Sequence, residues 1–111
     1  MTLNDYQKAA RTTAVYPKGG CRERIQYAAN GLFSEAGEVA GHLKRVYRDD
    51  RGVFTQDRVS QMVAEVGDVL WYIATLAHEL GVSLETVAKQ NIAKLAARAE
   101  AGTLHGQGDQ R

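Results

Sequence analysis

The stretch GLFSEAGEVAG, from Gly31 to Gly41, decides how this chain folds. Its apolar residues stand three and four positions apart, which is the period of a helix, and Glu35 and Glu38 lie among them. A glycine inside a helix costs about 1 kcal/mol relative to alanine. A carboxylate beside apolar surface also costs free energy unless its charge is compensated. The stretch therefore predicts a long helix in which the glycines and acids serve a structural or functional role that offsets their cost.

The same period runs through most of the chain, and its single proline favours an all-α protein. The glycine and proline residues of YPKGG and the DDRG stretch separate the periodic segments, while Gly81 reads as a helix stop and Ser83 as an N-terminal cap. We therefore expect a bundle-like protomer of four helices, at about Asn4–Ala14, Arg22–Arg48, Asp57–Leu80 and from the Ser83 cap to near Gly102.

Length and composition exclude several classes of protein. The 111 residues fit one domain, which we place at residues 1–102, followed by a polar, glycine-rich tail at 103–111. A net charge of +1 does not favour nucleic-acid binding, and no apolar run is long enough for a membrane span. The first residues lack the apolar core of a signal peptide, and the lone Cys21 cannot form an internal disulfide. We expect a cytoplasmic protein.

Acidic residues recur at matching positions on the two long predicted helices. Glu35 and Glu38 share one side of the second helix with His42, and Glu65 and Asp68 share one side of the third with Tyr72. A short connection favours antiparallel packing of these helices, so that the four carboxylates converge. Four carboxylates together need a hard divalent cation such as Mg²⁺ or Mn²⁺.

A polar row on the fourth predicted helix suits an anionic ligand. Asn91, Lys94 and Arg98 recur with the same spacing as the acids, and lysine and arginine bind phosphate oxygens well. From spacing alone, a solvated acidic face remains an equal alternative to a metal site. A ferritin-like di-iron site is disfavoured because its Glu-x-x-His pattern is absent, and we interpret His42 and His78 as ordinary helix residues.

Small residues on a second side of the long helices suggest self-association. Gly37 and Gly41 lie away from the aliphatic stripe, near Phe33, and Gly67 and Trp71 occupy a similar side of the third helix. Such positions let another helix approach closely, and so short a chain has too few helices to cover both sides. Trp71 has two readings, plain packing or stacking on a nucleobase.

Taken in order, three segments resemble the MazG-like nucleotide pyrophosphohydrolases of the all-α NTP pyrophosphatase superfamily. They are GLFSEAGEVAGHLKRVYRDD, AEVGDVLWYIATLAHELGVSLETVAKQNIAKLAAR and GTLHGQGDQR. The hallmark of that family, Glu-x-x-Glu followed by Glu-x-x-Asp, is met at Glu35, Glu38, Glu65 and Asp68. The resemblance extends from about Tyr6 to the end of the sequence, including the element at 106–109.

The resemblance implies an enzyme that hydrolyses a nucleoside triphosphate, usually a deoxy one, to the monophosphate and pyrophosphate. The implied cofactor is Mg²⁺, with Mn²⁺ as a substitute, and the implied assembly is a homodimer or homotetramer with sites at the subunit interface. Its metal ligands map onto the four acids, with Glu38 our candidate for orienting the attacking water. Its substrate contacts map onto Tyr72, Asn91 and Lys94, and Arg98 would offset charge on the leaving pyrophosphate.

Two further interpretations stay open. The first is a non-catalytic helical oligomer that binds a protein partner or a nucleotide, although such a module has no need of four convergent carboxylates. The second keeps the expectation of an enzyme that cleans the nucleotide pool, but changes its substrate. An alarmone or a damaged nucleotide would then take the place of the common triphosphates. The tail, with Asp109 and Arg111, could fold over the site.

Overall fold

The computed structural model describes residues 1–17 and 19–110, and this part of the chain holds four helices and no strand. The all-α expectation is therefore confirmed, and every predicted helix end lies within three residues of the observed one. The tail contact predicted for Arg111 falls outside the described residues. The helices are α1 Leu3–Arg11, α2 Cys21–Asp49, α3 Gln56–Glu79 and α4 Leu84–Ala101.

Local chemistry explains where the helices begin and end. The Ser83 hydroxyl accepts from the backbone N–H of Thr86 at the start of α4, as the sequence predicts. Thr55 caps α3 in the same way. Gly81, at φ 77°, and Gly102, at φ 71°, adopt the left-handed conformation that ends α3 and α4. Residues other than glycine rarely adopt this conformation.

Helix α1 ends earlier than its pattern predicts. The prediction runs to Ala14, but the helix stops at Arg11. The hydroxyls of Thr12 and Thr13 donate to the carbonyls of Ala9 and Ala10, at 2.7 Å and 3.1 Å. Such local bonds compete with helix continuation, so the chain leaves the helix here.

Helices α2 and α3 form an antiparallel hairpin and make the most extensive contact between elements. Three side-chain contacts are spaced along the hairpin: Tyr27 with Tyr72, His42 with Glu65, and Asp50 with Arg58. Positions rise along α2 as they fall along α3, which is the antiparallel order that the short connection predicts. The acidic sides of both helices therefore meet near the middle of the hairpin.

Helix α1 joins the far end of α3 to the start of α4. Buried Gln7 donates its side-chain amide to the carbonyls of Ala74 and Val82 and accepts from the backbone N–H of Leu84. This one side chain thereby links the interior of α3, the connection after it and the first N–H of α4, a group that has no partner within its own helix. A small apolar core of Ala10, Ala74 and Leu84 surrounds it.

The fold is open for its size. Its accessible surface is 7973 Å², whereas a compact monomer of this mass exposes about 6,000 Å². Its radius of gyration is 16.9 Å, against about 13 Å for a compact domain of this length. None of the described helices has the length and apolar content of a membrane-spanning segment. Large apolar side chains left exposed on α2 and α3 include Phe33, Leu43, Val59, Val63 and Val66.

Candidate active site

Three of the four predicted acids come together in the middle of the hairpin. Carboxylate oxygens of Glu35, Glu65 and Asp68 all lie within 4.8 Å of one another. Glu35 and Glu65 are half-buried, and Asp68 is exposed to solvent. The helical spacing turns all three toward one point, because Glu65 and Asp68 are one turn apart on α3 and Glu35 faces them from α2.

Glu38 stays outside this group of three. It is exposed, one turn beyond Glu35 on α2. It still acts on the group electrostatically: burial raises the pKa of Glu35, and the charges of Asp68, Glu65 and Glu38 raise it further. The predicted role of Glu38 as a ligand or as the group that orients water stays a prediction.

The donor set fits a hard divalent cation. All three groups offer carboxylate oxygens, which Mg²⁺ and Mn²⁺ prefer, and no nitrogen or sulfur ligand stands in the group. Burial and then the neighbouring carboxylates raise the pKa of Glu35, and a bound cation would relieve both penalties on its charged form. Two of the three remain half-buried, so such a cation would keep access to water and substrate.

A cleft of about 400 Å³ opens beside the acids. Glu35 and Asp68 form one of its walls, and Thr13, Trp71 and Tyr72 form the others. The Trp71 indole N–H donates to the Thr13 hydroxyl at 2.9 Å, which fixes the ring at the cleft. Trp71 also packs against the apolar core, so it serves packing while lining the cleft.

The ring of Tyr72 explains one of the glycines in the opening stretch. A Cβ at Gly31 would lie 2.0 Å from Tyr72 Cε1, far inside van der Waals contact. The glycine on α2 therefore makes room for the tyrosine on α3. The ring then meets Trp71 edge-on at 4.9 Å and Tyr27 at 6.4 Å. Burial, and then Tyr27, raise the pKa of the Tyr72 hydroxyl.

In the part of the chain that the structure describes, the polar row of α4 and the acids line different grooves. Among the described residues, α4 contacts α1 and α3 and makes no comparable contact with α2. Asn91 and Lys94 line a separate groove of about 300 Å³. Asp109 of the tail pairs with Lys94 at 3.2 Å and with Arg98 at 3.1 Å. Arg98 is only 5% exposed, and its Nε has no partner among the described groups.

The two helical histidines differ in their surroundings. His42 is half-buried, and its Nε2 lies 3.2 Å from Oε1 of Glu65. His78 is exposed near the end of α3, in the wall of another cleft, with Glu79 beside it. Neither belongs to the acidic group.

Three contributors to the site lie outside the sequence prediction. They are Thr13, which contacts Trp71, Tyr27, which meets the Tyr72 ring, and Arg58, which contacts His42; none of them belongs to a sequence motif. Thr13 follows the end of α1, and only the packing of α1 on α3 brings it to Trp71. No local pattern in the sequence carries that information.

Comparison with known proteins agrees with this architecture. The family model described as "MazG nucleotide pyrophosphohydrolase domain" matches residues 24–103. A relative named "Gene 37 protein", from Mycobacterium phage L5, is 44% identical over 114 residues, covering all of both chains. "Uncharacterized protein YvdC" from Bacillus subtilis (strain 168) is 35% identical over 106 residues, covering 90% of this chain and 98% of its own.

No solved structure matches the chain at a significant level. The family match spans α3, nearly all of α2 and the whole of α4, and so includes every acid of the candidate site. The chain therefore belongs to the family of MazG nucleotide pyrophosphohydrolases.

Proposed function

We propose that the protein hydrolyses a nucleoside triphosphate, with preference for a deoxynucleoside triphosphate, to the monophosphate and pyrophosphate in a Mg²⁺-dependent reaction. The observation that carries the proposal is the meeting of Glu35, Glu65 and Asp68 beside a cleft lined by two aromatic rings. Such a cleft suits a base or sugar, while the acids suit the metal that accompanies a phosphate chain.

The three grouped carboxylates would hold the cation, and Glu38 would complete the set or act beside it. When bound there, a divalent cation supplies neutralisation of phosphate charge and a polarised water nucleophile. Glu38 is exposed and outside the group of three, which leaves its carboxylate available to accept a proton from water. In this proposal Glu38 orients the water for in-line attack on the α-phosphorus.

The α4 row would balance charge on the leaving pyrophosphate. Lys94 and Arg98 already bind one carboxylate, that of Asp109, at 3.2 Å and 3.1 Å. Two cations that converge on one anion in this way suit a phosphate group equally well. Asn91, one turn away on the same helix, would add an amide donor.

We propose further that the α4 row serves the acids of a second copy of the chain. Within the described part of one chain, α4 contacts α3 but not α2, which carries Glu35 and Glu38. The open protomer exposes about 2,000 Å² more surface than a compact one. Two copies together therefore expose about 4,000 Å² in excess, which lies within the roughly 2,000–5,000 Å² in total that obligate homodimers bury. A homodimer or homotetramer would cover the exposed apolar side chains of α2 and α3.

A substrate panel tests the reaction. The protein is incubated with Mg²⁺ and each common NTP and dNTP, and monophosphate and pyrophosphate are measured together. We expect both products in equal amounts, lost in EDTA and in Asp68→Asn. Glu100→Gln is the matched control, because it neutralises an exposed acid of α4 outside the group. No turnover with Mg²⁺ or Mn²⁺ would favour the non-catalytic helical module.

A mixing experiment tests the shared site. Asp68→Asn and Lys94→Ala each disable one half of the proposed site and are inactive alone. If the halves come from different protomers, unfolding and refolding the two variants together restores about a quarter of the activity, since statistical mixing makes half of the dimers mixed and one of their two sites is intact. Mixtures that stay inactive would place Lys94 and Asp68 in the same protomer's site.

A further inference from the structure

A chain of polar contacts runs from the acidic group to the connection between α2 and α3. His42 Nε2 lies 3.2 Å from Glu65 Oε1, and Arg58 Nη1 lies 3.2 Å from His42 Nδ1. Arg58 in turn donates through Nε to Asp50 at 2.8 Å. The proposed reaction assigns no task to His42, Arg58 or Asp50, although they end on a metal-binding carboxylate.

The chemistry of these groups determines the direction of each hydrogen bond. A guanidinium only donates, so His42 Nδ1 must accept the bond from Arg58. A neutral imidazole that accepts at Nδ1 carries its proton at Nε2. His42 therefore donates from Nε2 to Glu65 Oε1.

Arg58, at the far end of this chain of polar contacts, is held firmly enough to impose these hydrogen-bond directions. Arg58 makes two contacts to Asp50 and a third to Gln61, at 3.1 Å. Only 12% of the His42 side chain and 14% of the Arg58 side chain are exposed to solvent. The partial exclusion of water strengthens these bonds and limits competing partners.

We infer that His42, held as the Nε2–H tautomer by Arg58, is a positioning residue that orients the Glu65 carboxylate for metal binding. One Glu65 oxygen is engaged by the ring, which restrains a side chain with three rotatable bonds before any cation arrives. Both ring nitrogens are already occupied, so His42 itself is not a metal ligand. The inference rests on the proposed function only in taking Glu65 as a ligand.

The tautomer is measured directly. Long-range ¹H–¹⁵N correlation spectra of the histidine-labelled protein at neutral pH distinguish the Nε2–H ring from the Nδ1–H ring and from imidazolium. We expect Nε2–H for His42, and a mixture of tautomers in Arg58→Gln, which removes the obligatory donor. An Nδ1–H ring or an imidazolium in the unmodified protein would overturn the inference, whatever the nucleotide assays show.

Metal binding is measured separately, with Mn²⁺ alone and by calorimetry. The amide of His42→Gln can still donate near the Nε2 position, whereas the shorter amide of His42→Asn can contact Arg58 but not reach Glu65. Loss of such an outer contact weakens metal binding by about 10- to 100-fold. We therefore expect that loss in His42→Asn, and binding within a few-fold of the unmodified protein in His42→Gln. His78→Gln is the matched control on α3.

The two variants separate positioning from a merely structural role. Equal weakening of Mn²⁺ binding in His42→Gln and His42→Asn would refute positioning, as would an unmodified protein that binds no Mn²⁺. A protein that binds Mn²⁺ in the expected pattern but hydrolyses no nucleotide would retain the inference and lose the proposed function. If the protein hydrolyses nucleotides but His42→Asn binds Mn²⁺ as tightly as the unmodified protein, the proposed function is retained and the inference about His42 is refuted.

Discussion

The close fit of Tyr72 over Gly31 makes Gly31→Ala a quantitative test of the hairpin. The new Cβ would lie 2.0 Å, 2.4 Å and 2.5 Å from three carbons of the Tyr72 ring. Carbon atoms pack at about 3.5–4.0 Å, so the ring must retreat by about 1.5 Å. Overpacking of this kind costs about 1–3 kcal/mol, whereas alanine gains about 1 kcal/mol over glycine inside a helix.

The two effects separate in a double-mutant cycle. In the unmodified background we expect Gly31→Ala to destabilise the fold by about 1 kcal/mol, the overpacking less the helix gain. In a Tyr72→Ala background no ring stands in the way, and the same substitution stabilises by about 1 kcal/mol. The expected coupling between the two positions is therefore about 2 kcal/mol, well above the scatter of additive pairs.

Urea unfolding, followed by the circular dichroism of the helices, gives the free energy of unfolding of all four proteins in the cycle: the unmodified protein, the two single variants and the double variant. Each is compared at the same protein concentration, because the proposed assembly would make apparent stability depend on concentration. A stabilising Gly31→Ala in both backgrounds would refute the contact between α2 and the Tyr72 ring. Since Tyr72 lines the cleft, the single variant is also expected to raise KM for the nucleotide.

Three further predictions concern other parts of the chain. Burial acts to raise the pKa of Glu79, but hydrogen bonds from Tyr16 and Arg24 hold that pKa below its ordinary value of 4.5. The carboxylate therefore stabilises the fold above pH 4.5, and the Tm deficit of Glu79→Gln should shrink as pH falls below that value; a pH-independent deficit would contradict this. Asp109→Asn frees Lys94 and Arg98, so KM for a triphosphate should fall several-fold with kcat little changed, and a higher KM would show that the tail assists binding. Phe33 is 84% exposed, and Phe33→Asp should shift the protein toward monomer in light scattering; unchanged assembly would place Phe33 outside the interface.

Much of the fold is predictable because its signals are local. Helix period, the Ser83 cap and the Gly81 stop depend on neighbours a few positions away, and the observed helices follow them. The exception is the end of α1, where the hydroxyls of Thr12 and Thr13 compete for carbonyls that a periodic pattern assigns to the helix.

In the candidate site, too, the features set by local spacing were predictable and those set by helix packing were not. Sequence spacing alone predicts that acids share one side of α2 and one side of α3, and that these sides face each other in an antiparallel hairpin. The rotation of each helix about its axis is set by packing, and packing decides that Glu35 joins Glu65 and Asp68 while Glu38 stands apart.

Backbone hydrogen bonding and side-chain period act over a few residues, so the sequence predicts the four helices, their ends apart from that of α1, and the acidic character of one side of the hairpin. Tertiary packing places the Tyr72 ring over Gly31, brings Thr13 to Trp71, and joins Arg58 and His42 in a chain of contacts to Glu65. Those contacts join positions far apart in the chain, and their geometry depends on how whole helices pack.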